Sequence, residues 1–520
     1  MVSHGREKQD NATGKSKKTS GKTARKKKSK DSNADPTYDD DIRDMDLPDD
    51  FSIAGTSMVS SEFGGSNFGG EEDDLFEGGD DDNDVDNTKD PSNRAEYAAQ
   101  ARQAKLLDAL SLSSTLTSEK RATKREGGYR VLFKAITQYA SGSAGQDILQ
   151  SRWSGLLESC LYSIRGGGSN STPAEQYAAC RVLEASAVIL GEDHDEIVLE
   201  LNDALKKVIN ATGRATQVRI AALRCLSMVH FICGTHGLEE GEDVVSVLEL
   251  CEKLCGEKYR GEKVSPSLRA SALDCWSLLS STLPDVKVAG GASDDEFSTI
   301  SLGRGLELLS LLASCLESTD VGLRSSAGEC VTLIHECRLN LGLDDDDAEN
   351  ATERRFRRGS WDGSEWEILM DEVKQRIAEL SVESGHHMSK KSKKQQRSTF
   401  RDFMSTIVDD EPPEEVVTFR GGSVKVTSWK EIVQLNFIRH CLQGGFQIQM
   451  MMNETLHDIF GFDGSIISDA TGMAMSQLEK RLTMSKTSDA AKKADKKMNR
   501  QRKTRTNVKN HFLTADGEDI

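Results

Sequence analysis

The sequence predicts an all-α fold: an armadillo- or HEAT-like helical-repeat solenoid, a small C-terminal domain of helices with one β-hairpin, and disordered tails. Two observations lead to this prediction. Residues 95–341 have long helical periodicity with only three prolines, each at a loop or a helix start. Within this region one nine-residue motif occurs three times. Helix pairs that recur every 40–50 residues or so are typical of armadillo and HEAT proteins.

The repeated motif places arginine, alanine and cysteine three residues apart in every copy. Its copies are Arg219-Ala222-Cys225, Arg269-Ala272-Cys275 and Arg324-Ala327-Cys330. The alanines would let neighbouring helices approach closely, while cysteine, leucine and isoleucine fill a shared core. Second helices are predicted after the first two copies, at 244–254 and 306–316, and weaker copies of the unit at 147–164, 174–190 and 196–209. The repeat therefore extends over most of the folded chain.

Composition divides the 520-residue chain into four predicted regions. They are a disordered, basic-then-acidic N-terminal region at 1–95, an armadillo-like domain at 96–384, a C-terminal domain at 385–478, and a basic, disordered or conditionally helical tail at 479–520. The formal net charge of −18 does not show this division: residues 480–509, for example, include 12 basic residues and only 2 acidic residues. Charge blocks of this kind are solvated and attract partners of opposite charge.

The predicted C-terminal domain begins with a hairpin and a helix. Two short strands flank Gly421-Gly422, a spacing that favours a two-residue β-turn. The helix that follows carries the capping-box signature, with Ser428 as the cap and Glu431 three residues later. A run of charged residues at 390–396 is predicted to separate this domain from the repeat. We expect Trp429 and Phe460 to lie in its core.

No combination of residues has the spacing of a catalytic, cofactor-binding or metal-binding site, so we expect no enzymatic activity and no cofactor. The four adjacent polar residues at 193–196 cannot converge on one metal ion from a single helix face, so a solvated loop is predicted there. Cys251 and Cys255 have no second pair nearby in sequence, which favours core packing over zinc binding. All 11 cysteines lie in apolar helical patterns, which predicts reduced, buried thiols. Neither a membrane-spanning run nor a secretory signal is present, so we expect no membrane partner and a cytoplasmic or nuclear location.

The basic run near the C-terminus is the strongest functional signal in the sequence. Its candidate nucleic-acid-binding residues are Lys492, Lys493, Lys496, Lys497, Arg500, Arg502, Lys503, Arg505 and Lys509. Six of them recur at helical spacing, so a helix formed on binding would present them together. The arginines could donate to phosphate oxygens in bidentate fashion. A solubilising or nuclear-import tail is the alternative, and the second basic run at 24–30 also has the density of an import signal.

Several strings resemble the interferon-related developmental regulator family. They are Arg397-Ser-Thr-Phe-Arg-Asp402, Ser428-Trp-Lys-Glu-Ile-Val-Gln-Leu-Asn436, Gly444-Gly-Phe-Gln447, Asn453-Glu-Thr-Leu-His-Asp-Ile-Phe460 and Glu119-Lys-Arg-Ala-Thr-Lys-Arg-Glu126. The resemblance covers residues 95–465 or so. It implies a non-enzymatic armadillo-like regulator, of a kind associated with transcriptional co-regulation through protein partners and with ribosome binding that restrains translation.

Two functional hypotheses follow. In the first, the protein binds ribosomes, ribosomal RNA or another RNA–protein assembly through its repeat scaffold and basic tail. In the second, it is a nuclear co-regulator whose repeat surface binds regulatory proteins, and its basic runs direct import. Neither hypothesis involves a small-molecule substrate.

Overall fold

The structure, a computed structural model, describes residues 91–167, 171–192, 194–234, 242–289, 304–341, 363–382, 390–419 and 422–462. The predicted tail at 479–520 and residues 1–90 lie outside these ranges. Helix α1 begins at Pro91, so the last five residues of the region predicted to be disordered are helical. The predicted boundaries after residues 384 and 478 stay predictions.

Helices make up most of the described chain, as predicted. In chain order they are α1 (Pro91–Ser111), α2 (Ser113–Leu116), α3 (Ala122–Tyr139), α4 (Gly142–Ile164), α5 (Pro173–Leu190), α6 (Asp195–Asn210), α7 (Thr216–Ile232), α8 (Glu242–Cys255), α9 (Pro266–Ser280), α10 (Asp285–Ala289), α11 (Arg304–Leu316), α12 (Val321–Asn340), α13 (Gly363–Val382), α14 (Lys390–Asp409), α15 (Trp429–Leu442), α16 (Phe446–Met452) and α17 (Glu454–Ile459). Two small antiparallel hairpins join them: β1 (Lys258–Tyr259) with β2 (Glu262–Lys263), and β3 (Glu415–Phe419) with β4 (Gly422–Val426).

The long helices stack in two layers. Helices α3, α5, α7, α9, α12 and α14 each contact the next in that order and form what we call the inner layer. Helices α1, α4, α6, α8, α11 and α13 form the outer layer, and all but α1 pack on the inner helix that directly follows them in sequence. This arrangement confirms the predicted helical-repeat solenoid.

The helices of the inner layer begin at strong local signals. Thr172 and Ser265 cap α5 and α9 through their side-chain oxygens, and a proline occupies the first helical position of each. Asp320 caps α12 in the same way, accepting a hydrogen bond from the backbone N–H of Leu323 at 2.8 Å. Such caps satisfy backbone donors that have no partner within the helix.

The inner helices α5, α7, α9 and α12 are buried over most of their length. Every residue of α7 from Val218 to Ile232 is buried, because α7 packs between the inner helices α5 and α9 and against the outer helices α6 and α8. Ala222, Ala272 and Ala327 are fully buried, as expected for close helix–helix contacts. All 11 cysteines are buried, as predicted, and none is in a disulfide.

Several local predictions were wrong. The third copy of the motif is also followed by a second helix, because α13 and α14 pack as one more pair. Residues 390–396 form the start of α14 rather than a break, since α14 gains tertiary contacts with α12 and α13. Phe419 pairs with Gly422, so Gly422 lies in β4 rather than in the turn. Helix α16 was not predicted.

Candidate functional site

The nine predicted nucleic-acid-binding residues, from Lys492 to Lys509, all lie outside the described residues, which end at Phe462. Their role stays a prediction. The nearest described part of the chain is the stretch 415–462, which we call the C-terminal segment. It includes three of the five family-like strings, and it packs on the inner layer through a series of polar contacts.

The repeated arginines have a common structural role that the sequence reasoning did not assign. Arg219 donates from Nε to the carbonyl oxygen of Ile209 at 2.8 Å, and Arg269 donates in the same way to Cys255 at 2.7 Å. Both acceptors lie at the C-terminal end of the preceding outer helix. Arg324 donates to Ser318, just after α11, at 3.1 Å. Arg219 and Arg269 therefore satisfy carbonyl groups that the outer helices leave without a partner, and Arg324 does the same for a carbonyl group in the turn after α11.

The N-terminus of α15 is capped twice. Ser428 and Glu431 form the predicted capping box. In addition, the carboxylate of Glu336 on α12 accepts hydrogen bonds from the backbone N–H groups of Trp429 at 2.8 Å and Lys430 at 3.3 Å. Burial raises the pKa of Glu336, and these hydrogen bonds partly oppose that rise. The contacts fix the start of α15 against the inner layer.

The C-terminus of α15 is held by one buried arginine on α5. Arg181 donates from Nη2 to the carbonyl oxygens of His440 at 2.6 Å and Cys441 at 2.9 Å. Its Nη1 forms an ion pair with Glu184 at 2.5 Å, and both side chains are almost completely buried. A positive charge at the C-terminus of a helix is favourable, because the last carbonyl groups carry partial negative charge.

A chain of polar contacts continues from His440 across the inner layer. Nε2 of His440 lies 3.1 Å from Nη1 of Arg224 on α7. Nη2 of the same arginine lies 3.8 Å from the carboxylate of Asp274 on α9. Asp274 accepts a hydrogen bond from Ser326 on α12 at 2.6 Å. Burial lowers the pKa of His440, and the two neighbouring guanidinium groups lower it further, so the ring is neutral at physiological pH.

The end of the C-terminal segment contacts the C-termini of α3 and α5. Gln449 donates to the carbonyl oxygens of Thr137 at 3.0 Å and Ala140 at 2.9 Å. Asn453, the cap of α17, donates to Val188 at 2.9 Å. Gly445 lies so close to the backbone of Thr137 that an added Cβ would collide with it. Only glycine allows this close approach.

The residues that make these contacts come largely from the family-like strings. Five of these residues belong to the strings: the second contains Trp429, Lys430 and Gln434, the third Gly445, and the fourth Asn453. Each of the five contacts a residue of the inner layer or one just after an inner helix. Lys430 bonds both the carbonyl of Leu283 and the carboxylate of Asp285. The family-like strings contain residues that hold the C-terminal segment on the inner layer, but their spacing in the sequence did not identify which inner-layer residues they contact.

The described residues contain no group of three or more histidine, cysteine or acidic side chains that could hold a metal ion. None of the helices described by the structure has the length and apolar character needed to span a bilayer. A shallow open groove of about 410 Å³ lies between α6 and the first hairpin, lined by polar side chains and one alanine.

A two-layered stack of helix pairs is the architecture of helical-repeat proteins. Proteins of this class bind partners through extended surfaces. The family model for interferon-related developmental regulators matches residues 76–408. The chain therefore belongs to the interferon-related developmental regulator family.

Curated relatives agree with this assignment. Interferon-related developmental regulator 1 of Mus musculus is 26% identical over 396 residues, covering 74% of this chain and 78% of the relative. The Homo sapiens protein of the same name is 25% identical over the same shares. Interferon-related developmental regulator 2 of Mus musculus is 25% identical over 63% of this chain and 67% of its own length.

Proposed function

We propose that this protein is a non-enzymatic regulator that binds ribosomes or other RNA–protein assemblies through its helical-repeat scaffold and its basic tail, and that it restrains translation. Membership of a regulator family supports the regulatory part of this proposal. The specific step to RNA rests on one observation, the nine basic residues between Lys492 and Lys509. They concentrate positive charge at a density suited to phosphate contacts.

The docking of the C-terminal segment is consistent with this role. The contacts of Arg181, Gln449 and Asn453 tie the segment to α3 and α5. Only 29 residues separate Phe462, where the described segment ends, from Lys492. A partner that holds the tail is thereby tethered to the inner layer, and the scaffold can add contacts of its own.

Binding through the tail should depend strongly on salt. Six to ten phosphate contacts would reduce the affinity by roughly 10³–10⁵ between 50 and 200 mM salt. The test is sucrose-gradient sedimentation of ribosomes with the full-length protein and with a variant whose nine tail residues are glutamine. We expect the wild-type protein to co-migrate at low salt and the variant to remain at the top of the gradient.

A control variant neutralises the five basic residues of the other basic run, Arg25, Lys26, Lys27, Lys28 and Lys30. This variant should sediment with ribosomes as the wild-type protein does. Wild-type protein that never co-migrates with ribosomes at low salt would contradict the proposal.

The alternative function is a nuclear co-regulator that acts through protein–protein contacts. The density of basic residues at 24–30 and 496–505 favours it, because such runs are typical of import signals. It predicts nuclear accumulation that disappears when Lys26–Lys28 and Lys496–Arg505 are neutralised. A wild-type protein that stays cytoplasmic when nuclear export is blocked would exclude this alternative.

A further inference from the structure

The turns that lead from outer to inner helices lie side by side along one edge of the repeat. Arg214, before α7, donates to the carbonyl oxygens of Ile164 at 2.6 Å and Arg165 at 3.1 Å, in the turn after α4. Tyr259, in the first hairpin, donates to Asn210 at the end of α6 at 2.5 Å. These contacts join three successive turns into one surface.

The first turn is connected to the same surface. Arg125, near the start of α3, forms a two-pronged ion pair with Glu175, near the start of α5, with both N–O distances at 2.8 Å. It also donates to the carbonyl oxygen of Glu119 at 2.7 Å. The turns before α3, α5, α7 and α9 therefore follow one another without a gap.

This edge carries an excess of positive charge. We call it the basic edge and define it by Lys120, Arg121, Lys124, Arg165, Lys207, Arg214, Lys258, Arg260 and Lys263. All nine are exposed or half-buried. Fewer acidic residues accompany them: Glu119, Glu257 and Glu262 in the same turns, and Glu126 and Asp203 in the adjoining parts of α3 and α6. Helix dipoles contribute little here, because outer helices end where inner helices begin and their partial charges oppose each other. The field comes from the side chains.

The described part of the opposite edge carries charges of both signs, because the exposed Lys287 of α10 lies there as well as acidic residues. At the described turns from inner to outer helices the exposed acidic residues include Glu192 and Glu196 between α5 and α6, and Asp147 at the start of α4. The excess of positive charge therefore favours the approach of an anionic partner to the basic edge.

Open backbone accompanies the cations at three successive turns. The pairs are Arg165-Gly166, Gly213-Arg214 and Arg260-Gly261. A Cβ added at Gly213 or Gly261 would have no neighbouring atom within 4 Å. Gly166 and Gly261 adopt positive φ angles, of 87° and 82° respectively. Glycine at such points allows a ligand to approach the main chain closely. The backbone N–H groups of Arg165, Gly166 and Arg214 already donate within their own turns, so a phosphate group that approaches these points would be bound by the basic side chains.

The groove between α6 and the first hairpin completes this surface. Lys207, Arg260 and Asn210 line it, together with one acidic residue, Asp203. The guanidinium group of Arg260 lies 5.5 Å from the centre of the Tyr259 ring. Arginine and tyrosine planes are the groups on which unpaired RNA bases stack.

We propose that the basic edge binds the phosphate backbone of single-stranded RNA, as a contact on the repeat itself that is separate from the basic tail. This inference rests on the proposed function in that RNA is the partner. An acidic protein would be the other anionic partner, but protein interfaces have an apolar centre. In their described residues, the turns at 118–121, 165–167, 211–215 and 256–263 expose no large apolar side chain.

The test compares two full-length variants with equal loss of charge. The edge variant carries Arg165→Gln, Lys207→Gln, Lys258→Gln and Arg260→Gln; Arg214 is kept because it caps α4. The control variant carries Arg152→Gln, Lys287→Gln, Arg401→Gln and Lys425→Gln, all exposed and all away from the basic edge. Both variants keep the tail.

Binding of a 30-nucleotide uridine RNA is measured between 50 and 200 mM salt. The slope of log affinity against log salt should become shallower by about 3 in the edge variant, because each lost contact to single-stranded RNA removes about 0.7. The control variant should keep the wild-type slope. An edge variant with the wild-type slope would overturn the proposal.

Two further outcomes separate this inference from its alternatives. Polyglutamate of equal charge should displace the RNA poorly; if it competes as well as RNA does, the edge is a site for acidic proteins and the proposal fails. Ribosome sedimentation tests the proposed function independently. Loss of uridine-RNA affinity in the edge variant, without any ribosome association of the wild-type protein, would retain the RNA site and reject the proposed function.

Discussion

The two sides of the inner layer are bound by different kinds of contact. On the side of the outer layer the contacts repeat: Arg219, Arg269 and Arg324 each donate to a carbonyl oxygen at or just beyond the end of the preceding outer helix. On the side of the C-terminal segment each contact occurs once. Arg181 binds the end of α15 and Glu336 binds its start.

This difference explains how the segment finds a single position. A repeated contact is equivalent at every helix pair and cannot distinguish one register from the next. The unrepeated contacts can, because a shift of α15 by one helix would leave the second donor group of Arg181 and the half-buried carboxylate of Glu336 without their hydrogen-bond partners on α15, and a buried polar group that loses its partner is costly. The outer interface thus builds the stack, and the C-terminal interface specifies a unique docked state.

The largest effect should come from Arg181. Replacing it with methionine leaves Glu184 buried without its ion-pair partner and removes the donor to two carbonyl groups of α15. We expect the free energy of unfolding to fall by about 3–5 kcal/mol, measured by urea denaturation. The exposed control Arg401→Met should change it by less than about 0.5 kcal/mol.

If Arg181→Met does not fold, Arg181→Lys serves instead, because it keeps the charge and loses the second donor group. An intermediate loss is expected for it. A loss below 1 kcal/mol or so in Arg181→Met would show that the buried pair does not anchor the segment.

Gly445→Ala should be the next most damaging change. The added methyl group meets the backbone of Thr137, which is part of α3 and cannot move easily. Overpacking of this kind costs about 1–3 kcal/mol, and we expect the upper end of that range. Hydrogen exchange should rise at the end of α3 and in α16.

Gly127→Ala is the matched control, since it makes the same change in α3 where nothing lies within 4 Å of the added carbon. It should stabilise the protein by about 0.5–1 kcal/mol, because alanine favours a helix interior over glycine. Equal effects of the two substitutions would contradict the proposed close contact at Gly445.

Removal of a repeated arginine should have a smaller and more local effect. Arg219→Met removes the charged donor to Ile209, and a hydrogen bond to a charged group contributes about 1.5–3 kcal/mol. Hydrogen exchange should increase at the end of α6 while the C-terminal segment keeps its protection. Arg269→Met should do the same at the end of α8; widespread loss of protection in either variant would count against a repeated, local role.

The smallest effect concerns pH. The folded state holds His440 neutral between Arg181 and Arg224, which pair in turn with Glu184 and Asp274, and the pKa of His440 lies well below 6.5. Below pH 6.5 the unfolded chain therefore binds more protons than the folded one, and stability falls as pH falls. The expected loss from this group is about 1.4 kcal/mol per pH unit.

His440→Gln should remove this part of the pH dependence, measured as the free energy of unfolding between pH 7 and pH 5.5. Asp402 acts in the opposite direction, since burial raises its pKa to about 6 and stability from this group increases as pH falls. Because Asp402 is present in both proteins, only the difference between the two curves reports on His440. Parallel curves would mean that His440 titrates normally.

The predictable parts of this structure are those with a local or periodic cause. The capping box of α15 follows from Ser428 and Glu431, three residues apart. The stack of helix pairs follows from the repeated arginine, alanine and cysteine. Residues 390–396 illustrate the limit: their charge argues for a break, but the contacts of the rest of α14 with α12 and α13 extend the helix through them.

The sequence by itself determined the class of fold, the register of the repeats and the burial of the cysteines, because each depends on residues close together or at a constant period. Only the tertiary structure decided that the C-terminal segment covers the inner layer and that four turns join in a basic edge. Both features depend on contacts with no period. Arg181 meets His440 across 259 positions of the chain, and no spacing rule connects residues so far apart when the contact occurs once.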